Sequence, residues 1–420
     1  MSKIIAVTGA GGYIGSVLVG RLLDAGYRVR ALDRFYFGAN TLDRYADRPT
    51  LETRTIDIRD LTPRELEGCW GVIDLSGLSN DPSAEVDLRL TWEINEKGRI
   101  ELARSAQKAG VERYVFSGSC SVYGAGGDEE LGEDSELNPL TAYAQAAAKA
   151  EAAIRAMNRP GFTTVALRNA TVFGLSPRMR FDLVVNVMTL SAFECGEIVV
   201  TGGGSQRRPI VHVQDVARAF LQALEADPAI TGGEVFNIGL ANFRMIELSR
   251  EVERAMPTPV KVQFAPGDAD KRDYSVKFDK ARKLLGFSAC ADVSLGVREI
   301  SRALQAGQVE RGLVTRTVAW YRHLIKMQRV LDFGLVARGA APPAAVAFPV
   351  AARQAERQEA VRIGAPAAKD IRAGRPLLSL LAMIAMLFGI ETEYAEDSLP
   401  LSDRAPNLAR VLETVMTVMV

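Results

Sequence analysis

Histidine is almost missing from this chain: His212 and His323 are two of 420 residues. That scarcity leaves no imidazole set for a zinc centre and argues against a histidine-based triad. Cysteine is nearly as rare, with four residues (Cys69, Cys120, Cys195, Cys290) and no C-x-x-C spacing. These supply neither a metal site nor a disulfide framework, and they suit a reducing cytoplasm. Neither sign of charge is in excess, since 51 Lys and Arg balance 51 Asp and Glu. A nucleic-acid partner, which calls for a basic surplus, is not expected. The apolar run Pro376–Ile390 has 15 residues, short of the ~20 that cross a bilayer. A membrane partner is therefore not expected either. No secretory leader is legible, because a strand pattern begins at once with Lys3-Ile4-Ile5-Ala6-Val7.

What is present is an ordinary globular mixture, 48% hydrophobic and 24% charged, with a clear alternation of elements. Apolar, β-branched runs fall at Ile4–Thr8, Arg28–Asp33, Leu51–Ile56, Gly71–Leu75, Arg113–Ser117 and Thr163–Arg168. Helical patterns lie between them at Gly15–Gly26, Asn95–Gly110 and Ala142–Asn158. Strands joined by such helices predict βαβ units and a parallel sheet buried on both faces. From about 175 to 335 shorter elements, among them Phe181–Phe193 and Glu234–Ile238, predict a smaller lobe interleaved with the first domain, 1–175. Between Ala340 and Arg375, 13 of 36 residues are Ala and four are Pro, which reads as a linker. Residues 376–420 then read as a helical C-terminal extension.

After the first strand comes Thr8-Gly9-Ala10-Gly11-Gly12-Tyr13-Ile14-Gly15, opening a helix. Gly9 permits the tight turn, Gly12 the approach of a pyrophosphate, and Gly15 close packing of helix on strand. Asp33, ending the second strand, is placed to accept hydrogen bonds from an adenosine ribose and to repel a 2′-phosphate. Arg34 beside it would favour that phosphate instead, so NAD is expected over NADP on the strength of Asp33. This is a Rossmann-type, doubly wound α/β sheet. Asp57 and Ile58 follow the third strand, where they would meet the adenine edge or simply be surface residues. Leu75-Ser76-Gly77 ends the fourth strand with small groups that let a cofactor approach. Asn95 opens a helix, either as a cap or as a cofactor contact.

Two further segments, Ser117-Gly118-Ser119-Cys120-Ser121-Val122-Tyr123-Gly124 and Asn138-Pro139-Leu140-Thr141-Ala142-Tyr143, complete a pattern. Together with the TGxxGxxG loop they resemble the extended short-chain dehydrogenase/reductase family, nearest to the NAD-dependent nucleotide-sugar epimerases and dehydratases. The resemblance covers about residues 3–330. It implies NAD as cofactor, a nucleotide-diphosphate sugar as substrate, Tyr143 as general base and Ser119 as its hydroxyl partner. Ser117 and Tyr143 would also flank the cofactor. A tyrosine with an ordinary pKa of ~10 needs help to act as a base at neutral pH. The family's helper is a lysine four residues after the tyrosine, and here that position is Ala147. Lys149 lies about 240° around the helix from Tyr143, whereas position 147 lies about 40° away, so Lys149 is a poor replacement. The chain is thus either altered at 147 or runs modified chemistry, and a non-catalytic NAD-binding scaffold stands as the alternative to an enzyme.

The same resemblance implies substrate contacts from Ser119, Ser121, Thr171, Arg208 and Arg272, the two arginines clamping the diphosphate. No metal is implied. Sugar 4,6-dehydratases carry Asp-Glu where this chain has Cys120-Ser121, which favours an epimerase over a dehydratase; another reaction of the fold, such as a decarboxylase, reductase or dehydratase, stands as the alternative. A homodimer through helices 95–109 and 142–157 is the family's usual assembly. His212 is read as a structural strand residue and Cys120 as an inert buried thiol.

Overall fold

The computed structural model describes residues 2–266 and 272–337. The linker and extension expected beyond 340 lie outside the described residues, as do Asp270 and Lys271. Seven parallel strands form the main sheet: β1 (Ile4–Thr8), β2 (Arg28–Asp33), β3 (Leu51–Thr55), β4 (Cys69–Asp74), β5 (Arg113–Ser119), β6 (Thr163–Asn169) and β7 (Val235–Ile238). Their order across the sheet is β7-β6-β5-β4-β1-β2-β3. The side chains of β1 show why the strands read as unbroken apolar runs. Ile5 and Val7 enter one hydrophobic cluster and Ala6 enters the cluster on the opposite face, so the period of two has no polar side.

Strand order reverses at β1, with Thr8 level with Leu32 on one side and Asp74 on the other. Ligands of open α/β sheets bind beyond the carboxyl ends of the strands at such a reversal. Helix α1 (Gly15–Asp24) follows β1, α2 (Arg99–Lys108) precedes β5, α3 (Ala142–Arg155) precedes β6 and α4 (Val213–Glu225) precedes β7. The entry to α2 differs from the expectation. Residues Trp92–Gly98 form a wide π-type turn, so Asn95 sits inside a helix and does not cap one.

Apart from α4 and β7, the chain beyond β6 builds a second layer. A three-stranded sheet has Arg207–His212 at its centre, parallel to Thr171–Phe173 and antiparallel to Ala241–Arg244. His212 closes that central strand, meets Glu299 Oε1 at 2.8 Å, and accepts from the N–H of Gln214 at the start of α4. Two short parallel pairs, Ala125–Leu131 with Asp273–Val276 and Glu197–Thr201 with Lys261–Ala265, flank it. No helix among the described residues is long and apolar enough to cross a membrane.

Candidate active site

A cleft of about 460 Å³ opens where the strand order reverses, between the glycine loop and the second layer. The loop is built by contacts that only glycine tolerates. A Cβ on Gly15 would lie 2.1 Å from the Gly9 carbonyl oxygen, and Gly9 itself adopts φ +67° with the Leu75 carbonyl close behind it. Gly12 has only the Gly9 carbonyl near its missing side chain, so its backbone is bare toward the cleft. Helix α1 carries no side-chain cap and no acidic residue in its first turn. Among the described residues nothing accepts from the N–H groups of Tyr13 or Ile14. Free donors at an uncapped helix N-terminus fit a dinucleotide pyrophosphate.

Asp33 is fixed by two backbone donors, Gly11 N at 2.9 Å and Phe35 N at 2.7 Å. Burial raises its pKa, and those amides oppose the rise. The carboxylate therefore presents its remaining lone pairs at the far end of the cleft. Arg34 is drawn aside, toward Asp57 at 4.0 Å and over the Tyr36 ring. Asp57 is buried, not a free surface acid. Its side chain takes both prongs of the Arg59 fork, which with its other hydrogen bonds hold its pKa low.

Other expected cofactor contacts are present in the cleft wall with their side chains already committed. Tyr13 donates to the Gly174 carbonyl at 2.6 Å and accepts from Asn186, leaving its backbone to face the cleft. Asn95 spans the Leu78 backbone, accepting from its N–H at 2.8 Å and donating to its carbonyl at 3.0 Å. It thereby shapes the loop after Leu75-Ser76-Gly77. Ile58 and Ser117 also line the cleft.

At the other end, Ser119, Tyr143 and Ala147 line one wall. Thr141 caps α3, accepting from Ala144 N and donating to Asp81 Oδ1 at 2.5 Å, and so sets Tyr143 in the first turn. Burial raises the Tyr143 phenol pKa and the Asp81 charge adds to this, while Ser119, Arg99 and Arg180 pull it down. Ala147 is buried, one turn along, among Cys120, Val122, Tyr123 and Tyr274. Lys149 is 62% exposed and sits near Glu96, away from the cleft. Cys120 donates to the Arg168 carbonyl, and burial pushes its thiol pKa up. Ser121 Oγ is buried without a partner among the described residues.

Thr171, Arg208 and Arg272 complete the outer wall. The Arg208 guanidinium reaches the Arg272 carbonyl, and the Arg272 guanidinium pairs with Asp81.

Sequence reasoning missed a charged layer beneath these groups. Arg168, inside a fully buried strand, makes a two-pronged ion pair with Glu151 of α3 at 2.6 and 2.9 Å. Arg99 pairs with Asp74 at 2.8 Å, and Arg180 pairs with Asp182 at 2.6 Å. Asn169 donates to Ser117 Oγ and to the Gly118 carbonyl. The signal was available. Arg99 shares the buried helix positions of Leu102, Ala103 and Ala106, and a charge on an apolar face must be paired. No group of three or more His, Cys, Asp or Glu among the described residues could hold a metal ion.

The parallel sheet and this cleft define a Rossmann-type α/β protein with a dinucleotide-shaped site. The profile of the NAD-dependent epimerase/dehydratase family matches residues 5–239, and the chain belongs to that family. Its cofactor is NAD, as expected. The chain is 27% identical over 325 residues to a UDP-glucose 4-epimerase of Bacillus subtilis, spanning 69% of this chain and 95% of that protein. It is 28% identical over 265 residues to a mouse dTDP-D-glucose 4,6-dehydratase, spanning 60% of this chain and 72% of that one. Among solved structures it is similar to a dTDP-glucose 4,6-dehydratase from Streptomyces venezuelae with NAD bound. That match has 25% identity, covers 73% of this chain and 99% of the other, and has a TM-score of 0.66. Epimerases and dehydratases are thus both among the relatives.

Proposed function

We propose that this protein is an NAD-dependent nucleotide-sugar epimerase, with Tyr143 as general base and Ser119 polarising the same sugar oxygen. The observation that carries the reading is the pair of hydroxyls, Ser119 and Tyr143, facing one cleft with the glycine loop and Asp33. Bound NAD supplies a reversible hydride acceptor there. Tyr143 takes the proton of the sugar hydroxyl as that carbon is oxidised and gives it back on reduction. The bare amides of Tyr13 and Ile14 hold the cofactor diphosphate, Asp33 its ribose, and Arg208 and Arg272 the substrate diphosphate. The orphaned Ser121 Oγ is free to bond a sugar hydroxyl. A dehydratase would need a further acid to expel water. The Cys120 thiol, whose pKa burial pushes up, is too weak an acid to supply one.

The test is to incubate the protein with NAD and UDP-glucose, dTDP-glucose or UDP-glucuronic acid and to separate the sugars. A 4-epimer at unchanged mass supports the reading, and loss of a water mass supports a dehydratase. Bound NAD with no product from any sugar, in protein of this sequence, favours the scaffold, for which Ala147 is the argument. The homodimer through 95–109 and 142–157 belongs to the same reading. Sedimentation should give twice the 45.5 kDa chain mass.

A further inference from the structure

Three buried arginines line the cleft, and they are not equivalent. Every nitrogen of the Arg180 guanidinium is engaged, Nε and Nη2 with Asp182 and Nη1 with Ser79. Arg178 stacks 3.6 Å over the Phe37 ring and donates to Thr317. Arg99 differs from both. Its Nε donates to Asp74 Oδ2 at 2.8 Å, and its Nη2 donates to the carbonyls of Asp74 and Ser117 at 3.0 and 2.9 Å. Its carbon centre lies 3.8 Å over the Phe116 ring. Among the described residues nothing accepts from Nη1, and Arg99 forms part of the cleft wall together with Tyr143 and Ala147.

These bonds fix the cation. The Ser117 carbonyl it grips lies two residues before Ser119, on the strand end that faces Tyr143. The position where the family carries its lysine is filled by a methyl group, and an arginine rises from the neighbouring helix with one arm unused. We propose that Arg99, held by Asp74 and Ser117, replaces that lysine as the cation that poises Tyr143, making it a positioning residue for the base. The inference rests on Tyr143 being the base of the reaction proposed above.

The charges around Tyr143 predict opposite effects from two substitutions. Asp81, itself paired with Arg272, opposes the tyrosinate, whereas Arg99 and Arg180 favour it. Asp74 is the carboxylate that offsets Arg99. Asp74→Asn alone therefore strengthens the cation and lowers the Tyr143 pKa. Arg99→Met with Asp74→Asn removes the cation without stranding a carboxylate, and raises it. The expected result is a shift of opposite sign in the two variants, down for the single change and up for the double one. A change that only loosened the fold would not reverse sign between the two variants. Adding Ala147→Lys to the double variant should bring the value back down, and Arg99→Lys should nearly preserve it.

The measurement is the pH titration of the Cζ resonance in full-length protein labelled with 13C-tyrosine, with Tyr143 assigned by its loss in Tyr143→Phe. Opposite shifts in the two variants, with rescue by the lysine, support the proposal. If Asp74→Asn leaves the Tyr143 titration where it is, the proposal is overturned, whether or not the double variant folds. Since the readout needs no turnover, the two readings fail separately. Shifts without sugar conversion would sink the epimerase assignment, and conversion without shifts would sink the role of Arg99.

Discussion

The two ends of the cleft are built from different materials. The dinucleotide end is mostly backbone: bare amides of Tyr13 and Ile14, glycines whose missing Cβ atoms leave room, and one carboxylate, Asp33, held by amides of Gly11 and Phe35. The reaction end is mostly side chain. It consists of Ser119 and Tyr143 above a layer of paired charges drawn from β4, β6, α2 and α3. Backbone geometry tolerates little change in sequence, so the first end keeps a recognisable pattern. Charges can be supplied from several elements, so the second end can lose a lysine at 147 and keep a cation nearby.

That contrast breaks most sharply at Tyr143. Tyr143→Phe should reduce sugar conversion by about 10²–10⁴-fold, the usual worth of a positioned general base, while NAD affinity measured calorimetrically stays the same. A parallel loss of NAD binding would mean that the two ends are not separable. Because burial holds the Tyr143 phenol above its ordinary value, the deprotonated base is favoured only at high pH. Conversion by the unaltered protein should therefore keep rising with pH beyond neutrality, and a plateau below pH 7 would contradict the account.

Next in size is the charged layer. Glu151→Ala strands Arg168 in a fully buried strand, and removing one partner of a buried pair costs about 3–5 kcal/mol. Urea unfolding followed by circular dichroism should show that loss. A change under 1 kcal/mol would mean that water or another group reaches Arg168. At the other end Gly15→Ala forces a methyl group against the Gly9 carbonyl. Overpacking of this kind costs about 1–3 kcal/mol, and it should fall on NAD affinity.

The unequal legibility of the two ends has the same origin. The strands, the glycine loop and Asp33 were readable because each follows from a local rule: period two with both faces apolar, φ above zero, or a helix start without a cap. β1 and β2 have the very bounds that their residues predict. Asn95 was misplaced at a helix start because nothing in Trp92–Gly98 announces a π-type turn, inside which its amide bonds the Leu78 backbone. Asp57 was legible only as either an adenine contact or a surface acid, because its burial depends on the two-pronged pair with Arg59, which the sequence does not announce. The pairs Arg99–Asp74 and Arg168–Glu151 join residues 25 and 17 positions apart. Composition says that such charges need partners but not which ones.

The smallest effect is expected outside the cleft. Lys149→Ala should change conversion less than about twofold and stability by at most about 1 kcal/mol, the range of exposed ion pairs. Lys149 is 62% exposed and 3.9 Å from Glu96. A large loss of rate would make Lys149, and not a group from another element, the stand-in for the lysine absent at 147.

In the proposed reaction this cleft oxidises a nucleotide sugar and returns the same hydride. Proton NMR of UDP-glucose or dTDP-glucose with the protein and NAD in D2O tests it most directly. The account predicts a 4-epimer that retains protium at carbon 4 and takes up no deuterium at carbon 5. Deuterium at carbon 5, or a dehydrated keto-sugar, would contradict it.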